Sequence, residues 1–242
     1  MAAILELDGV CKAFGAVVVA ESQSWSLEQG EALGVIGPNG AGKTSMFNLV
    51  TGALSTDRGA IRLDGKDITK WPAARRCRSG IARSFQVPQP FSGMTIFENA
   101  YVAATQGAGL AAEEADALCL DVLERTGLLY KANALAGSLT LLERKRLELA
   151  RAMCTRPRVL LLDEIAGGLT DNECQALIGT IRDVRATGVS IVWIEHVVHA
   201  LMAVADRLIV INFGRKIAEG NPQEVMDSRQ VREIYLGIEA HG

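Results

Sequence analysis

Gly37-Pro-Asn-Gly-Ala-Gly-Lys-Thr44 decides how the rest of the chain is read. It matches the pattern G-x-x-x-x-G-K-[ST], and its flanks are the ones that pattern requires. Ala32 to Ile36 is a short apolar run of strand character before it, and Ser45 to Val50 has helix-compatible apolar spacing after it. Glycines in such a turn let backbone N–H groups curl around phosphate, and the helix N-terminus adds the positive end of a dipole. Gly37, Pro38, Asn39, Gly40, Ala41, Gly42, Lys43, Thr44 and Ser45 are therefore expected to bind a nucleotide. Lys43 would reach its β- and γ-phosphates, and the Thr44 hydroxyl would meet Mg²⁺.

Downstream, Val159-Leu-Leu-Leu-Asp163-Glu164 is a buried-type apolar strand that ends in two carboxylates. α/β sheets bind their ligands at the carboxyl ends of strands. Asp163 is expected to hold Mg²⁺ through its water shell. Glu164 is expected to polarise the water that attacks the γ-phosphate, a positioning role suited to a loose transition state.

The intervening chain supplies an α/β scaffold. Ile4 to Leu27, with Gly9 and Gly15, reads as strands joined by turns, and Gly59 to Ile68 alternates about the hairpin pair Asp64-Gly65. Between about Thr95 and Arg156 the composition turns to Ala, Leu, Glu and Arg, interrupted at Gln106 to Leu110, which predicts a helical subdomain. Its last helix, near Glu143 to Cys154, sets Leu147, Ala150, Met153 and Cys154 on one packed face and leaves Arg144, Lys145, Glu148 and Arg151 mostly on a solvated one. Strand-like runs at Val159 to Leu162, Ser190 to Ile194 and Leu208 to Ile211, with a helical stretch from Asn172 to Ala186, give βαβ order and a mostly parallel core sheet. Arg75, Arg76 and Arg78 read as a solvated helix face.

Composition sets limits. A chain of 242 residues suits one large domain, and 49% hydrophobic against 22% charged residues is a globular balance. A net charge of −3 and a pI near 5.7 supply no basic field for a phosphate backbone, so nucleic acid is not the expected partner. Mean hydropathy is +0.18, yet the apolar runs are far too short to cross a bilayer, and Met1 to Asp8 lacks the features of a secretory signal. A cytosolic protein is expected. The five cysteines lack Cys-x-x-Cys spacing and read as buried or incidental thiols.

From about Leu5 to Gly237 the chain resembles the nucleotide-binding subunits of ABC transporters. The resemblance implies a P-loop NTPase fold with a mostly parallel core sheet, an antiparallel β layer (about 1–30 and 57–70), a helical subdomain (about 90–156) and a tail (about 220–242). It implies that Phe14 stacks on adenine, that Gln86 in Ser84-Phe-Gln86 senses Mg²⁺ and the membrane partner, and that His196 is the switch histidine at the γ-phosphate. Two departures stand out. Where the signature reads Leu-Ser-Gly-Gly-Gln, this chain has Leu139-Thr140-Leu141-Leu142-Glu143, and Ile165-Ala-Gly-Gly-Leu-Thr170 replaces Pro-Thr-Ser-Ala-Leu-Asp. That signature closes over nucleotide on the opposite subunit; Thr140 still offers a hydroxyl, but leucine in place of glycine alters the close approach.

Gly80-Ile-Ala-Arg-Ser-Phe-Gln86, Met94-Thr-Ile-Phe-Glu-Asn99 and Tyr235-Leu-Gly237 look like the branched-chain amino acid importers within that family. The expected function is ATP hydrolysis, with ATP and Mg²⁺, that powers amino acid import through separate permease subunits, at the inner face of the membrane. A second ATPase subunit, with a heterodimer favoured, and indirectly a periplasmic or extracellular substrate-binding protein complete the expected partners. Lipopolysaccharide-export ATPases are similar and form one alternative; a low-turnover regulatory module in a heterodimer forms another. A translation or DNA-repair ATPase is disfavoured, because tandem domains, coiled coils and basic extensions are absent from the sequence.

Overall fold

A computed structural model describes residues 3–236. The side chains of Tyr235 and Leu236, and all of Gly237 and His241, lie outside the described residues. The chain begins with two long strands, β1 (Ala3–Phe14) and β2 (Val17–Glu28), then β3 (Ala32–Ile36), α1 (Lys43–Thr51), β4 (Arg58–Leu63), β5 (Lys66–Asp67), α2 (Ala73–Arg78) and β6 (Ile81–Arg83). Helices α3 (Ile96–Val102), α4 (Ala112–Arg125) and α5 (Leu141–Met153) follow. Next come β7 (Val159–Asp163), α6 (Asp171–Ala186), β8 (Ser190–Ile194), α7 (Val198–Val204), β9 (Arg207–Asn212), β10 (Arg215–Gly220), α8 (Pro222–Asp227) and α9 (Arg229–Leu236).

The strands form two sheets. One is antiparallel, in the order β2-β1-β4-β5; the other runs β10-β9-β3-β8-β7-β6 and is parallel apart from β10. β3, β7 and β8 are buried along their whole length, as strands covered on both faces must be. Alternation divides their side chains between two cores. Leu160, Leu162, Ile191 and Trp193 face the helices, whereas Leu33, Val35, Val159, Leu161, Val192 and Ile194 face α1 and the antiparallel layer. Each such side chain contributes about 1.5–3 kcal/mol by leaving water.

Several local readings change. Gly9 is not a turn: it lies inside β1 at φ 59, where the register with β2 and with β4 shifts, and so marks a bulge. Asp64 and Gly65 do form the expected tight hairpin, both at positive φ (52 and 71). The chain leaves α3 through a π-helical turn, Ala103–Gly107, and the interruption expected at Gln106 to Leu110 falls on the end of that turn and the non-helical residues before α4. β6 and β10 had no reading as strands, being edge strands of three and six residues without strong alternation.

The solvated-face reading of Arg76 fails. Its side chain is 2% exposed and donates to four backbone carbonyls: Leu49 and Val50 through Nη1, Thr69 through Nη2, and Trp71 through Nε. It donates to carbonyls near the end of α1, where Leu49 also accepts from the Gly52 amide, and no pattern of charge along α2 reveals this. Among the described residues, no helix is long and apolar enough to cross a membrane.

Candidate functional site

β7, β8 and β3 are adjacent and parallel, so their carboxyl ends open along one edge of the sheet. The loop Gly37–Gly42 leaves β3 there, Asp163 and Glu164 end β7, and Glu195 and His196 follow β8. The sheet order alone gathers residues that lie far apart in sequence.

The loop is drawn tight against its neighbours. A Cβ on Gly37 would fall 2.0 Å from the Ile211 carbonyl oxygen, and one on Gly42, at φ 101, would fall 2.2 Å from that of Val19. Only glycine fits these two positions. Ala41 accepts from the Gly214 amide at 2.8 Å, and Lys43 Nζ donates to the carbonyls of Gly37 (2.8 Å) and Pro38 (3.0 Å), bracing the loop from inside. Burial lowers the Lys43 pKa against the pull of Glu164 and Asp163. Asn39, Gly40 and Thr44 stay exposed, and the first amides of α1 lack intrahelical acceptors, as at any helix N-terminus.

Glu164 sits in a left-handed conformation, φ 46, with its amide donating to Ile194 at 2.8 Å. Each of its carboxylate oxygens has a partner. Gln86 Nε2 donates to Oε2 at 2.6 Å, and His196 Nε2 lies 2.8 Å from Oε1, a contact that requires the proton on Nε2. The structure thus brings Gln86, Glu164 and His196 together.

Asp163 is 1% exposed, and burial raises its pKa against an ion pair with Arg83, whose Nη2 lies 2.6 Å from Oδ2. Its Oδ1 is buried without a hydrogen-bond partner. Thr44, Gln86 and Asp163 line one cavity of about 490 Å³. An unpartnered carboxylate oxygen, a hydroxyl and an amide oxygen form a hard oxygen set that fits Mg²⁺. Phe14 ends β1, 54% exposed, with Lys12 Nζ 5.4 Å from its ring centroid.

The solvated face expected for Lys145 and Glu148 is corrected: they are 4% and 5% exposed. Lys145 Nζ donates to the carbonyls of Gln86 (2.8 Å) and Glu164 (3.2 Å), and Glu148 pairs with Arg151 at 3.1 Å. Helix α5 therefore packs on two sides. Burial lowers the Lys145 pKa and raises that of Glu148. Glu195, 1% exposed, accepts from the amides of Ala166 (2.6 Å), His196 (3.0 Å) and Val197 (3.3 Å). Glu195 has no reading from the sequence, and Lys145 is read there only as part of a solvated face; the acid directly before His196 was the available signal for the first.

The segment Leu139–Glu143 begins α5 as a capping box. The Glu143 amide donates to Thr140 Oγ1 at 3.4 Å, and the Thr140 amide to Glu143 Oε2 at 3.0 Å. Glu143 Oε1 also accepts from Tyr130 and Lys131, and the Lys131 contact holds its pKa down to about 2. Leu139 is buried, Leu142 half-buried, and Leu141 44% exposed.

Comparison with known proteins adds to this geometry. A family profile described as ABC transporter matches residues 20–167, and one described as branched-chain amino acid ATP-binding cassette transporter matches residues 215–241. The high-affinity branched-chain amino acid transport ATP-binding protein BraF of Pseudomonas aeruginosa is 37% identical, over 97% of this chain and 98% of its own. LivG of Escherichia coli strain K12, of the same description, is 35% identical with the same coverage. The lipopolysaccharide export system ATP-binding protein LptB of Acidithiobacillus ferridurans is 32% identical, over 98% of both chains. Two solved structures of ATP-binding cassettes from ABC transporters, one nucleotide-free and one in its ADP conformation, superpose with TM-scores of 0.88 and 0.89 at 28% identity. Each covers 98% of this chain and 100% of the solved one.

Proposed function

The chain belongs to the ABC transporter ATP-binding family, and from that premise we propose that this ATPase powers import of branched-chain or other hydrophobic amino acids through separate permease subunits. The amino acid class is supported by the match over residues 215–241 and by the descriptions of BraF and LivG. The lower identity of LptB makes export the weaker reading.

The observation that carries the catalytic reading is the pair of contacts on Glu164, one from Gln86 and one from His196. Water held on the Glu164 carboxylate attacks the γ-phosphorus, the bond to the β,γ-bridging oxygen breaks, and ADP and phosphate leave, with the water's displaced proton carried off on the phosphate. Glu164 orients that water, His196 turns its Nε2–H from Glu164 to a γ-phosphate oxygen, and Lys43 swings from the loop carbonyls to the β- and γ-phosphates. Thr44, Gln86 and Asp163 would hold Mg²⁺, which would neutralise phosphate charge there. Phe14 offers its ring to adenine.

We read 1–242 as one ABC ATPase domain working at the inner face of the membrane, with a substrate-binding protein on the far side. The working dimer is a heterodimer. Thr140 and Glu143 are engaged in a helix cap, and leucines stand where the family has glycines, so this signature serves a partner's nucleotide poorly.

MgATP turnover per chain, measured across a protein concentration series with Glu164→Gln as control, tests this. The isolated chain is expected to bind ATP with little turnover, and a related ATPase subunit with the permease restores it in wild type but not in Glu164→Gln. Turnover that rises with the concentration of this chain alone overturns the heterodimer. Full turnover in the Glu164→Gln complex overturns the catalytic assignment.

A further inference from the structure

Arg83 ends β6, three residues before Gln86. Its Nη2 donates to Asp163 Oδ2 and its Nη1 to Asn48 Oδ1, each at 2.6 Å, so one guanidinium ties β6 to both β7 and α1. The pair is withdrawn from water, at 8% and 2% side-chain exposure. The guanidinium carbon lies 5.5 Å from the Phe47 ring centroid and 5.1 Å from that of Phe85, which leaves it little freedom to turn.

The bond that is missing is informative. Arginine and carboxylate commonly meet fork to fork, using both oxygens. Here Arg83 meets Asp163 through Nη2 alone: Nη1 is held by Asn48, Nε stays buried without a partner, and Asp163 Oδ1 stays buried and unpartnered beside the cavity shared with Thr44 and Gln86. A buried carboxylate without a countercharge is costly, and Arg83 supplies that charge while leaving one oxygen unclaimed.

We propose that Arg83 is a positioning residue for the metal carboxylate: it fixes Asp163 by one oxygen, keeps the other open, and by offsetting its charge sets how much Mg²⁺ the site requires. This rests on the reading of Asp163 as the carboxylate that holds the metal's water. Two positive charges then compete for one carboxylate, and removing the fixed one strengthens the hold on the mobile one.

The test is binding of a fluorescent ATP analogue to the full chain, titrated with Mg²⁺ at fixed nucleotide. Arg83→Met is expected to lower the half-saturating Mg²⁺ concentration by roughly three- to tenfold, and Arg83→Lys, which keeps the charge, to stay within about twofold of wild type. Asp163→Asn raises the requirement, and adding Arg83→Met to it has no further effect. A purely structural role for Arg83 would lower thermal stability and leave the Mg²⁺ requirement unmoved. If Arg83→Met does not fold, Arg83→Gln decides: it removes the charge, keeps an amide donor, and is expected to lower the requirement in the same direction. An unchanged or raised requirement in the folded Arg83→Met or Arg83→Gln variant overturns the inference. An unchanged requirement in Asp163→Asn overturns the reading beneath it.

Discussion

Leu141, at the start of α5, lies against Gly168, in the loop after β7: a Cβ built on Gly168 would fall 3.4 Å from the Leu141 Cδ2. The two departures from the family pattern are therefore neighbours. Gly168 is at φ 78, a conformation that alanine, the family's residue there, adopts only with strain. The bulky signature and the glycine-rich loop fit each other. Leu141→Gly with Leu142→Gly is expected to raise turnover by the isolated chain roughly tenfold, the effect of about 1.4 kcal/mol on the barrier, as read by phosphate release. No rise would mean that the leucines do not limit closure.

Lys145 joins the carbonyl of Gln86 to that of Glu164, so its ammonium holds the two backbones in register. Lys145→Met keeps the stem and removes the donors. It is expected to lower kcat about tenfold while nucleotide affinity changes by less than about twofold, because the phosphate loop is untouched. Equal losses in both would assign Lys145 to binding.

Arg76→Met removes the side-chain donors from the carbonyls of Leu49, Val50, Thr69 and Trp71, of which Leu49 keeps the Gly52 amide. The expected cost is about 2–4 kcal/mol, seen in chemical denaturation, with a correspondingly lower melting temperature. A cost below about 0.5 kcal/mol, as for an ordinary surface site, would contradict the burial.

Glu143 carries a pH signature. Its folded pKa, about 2, lies below the ordinary 4.5, chiefly through Lys131. The charged form is favoured by folding, so the stabilisation is complete above pH 4.5 and is lost as pH falls towards about 2. Glu143→Gln keeps the cap's shape and loses the charge. Its melting temperature should be lower than wild type at neutral pH, and the gap should narrow on acidification through that window. A constant gap would show that the ion pair with Lys131 contributes nothing.

What the sequence made legible was local. The phosphate loop between β3 and α1, the strand ending at Asp163, and the hairpin at Asp64-Gly65 each carry their signal within about ten residues. What it hid was remote. Arg83 meets Asp163, and Lys145 meets Gln86, across long stretches of chain, and a helix read by periodicity is granted one buried side, so Lys145 and Glu148 fell on the wrong one. Arg76 misled for the opposite reason: a run of like charges hid the one member that turns inward. The Leu141–Gly168 contact joins two segments that sequence showed only as separate departures.

The Glu195 carboxylate accepts amide hydrogens from Ala166, in the loop after β7, and from His196 and Val197, in the loop after β8. The two loops therefore share one anchor, and their tolerance of substitution is linked. A change that shifts Ala166–Leu169 is felt at His196 without touching it, and a neutral residue at 195 releases both loops together. In a library of variants the two segments should behave as a single unit of inheritance, surviving when they are exchanged as a pair and failing when exchanged one at a time.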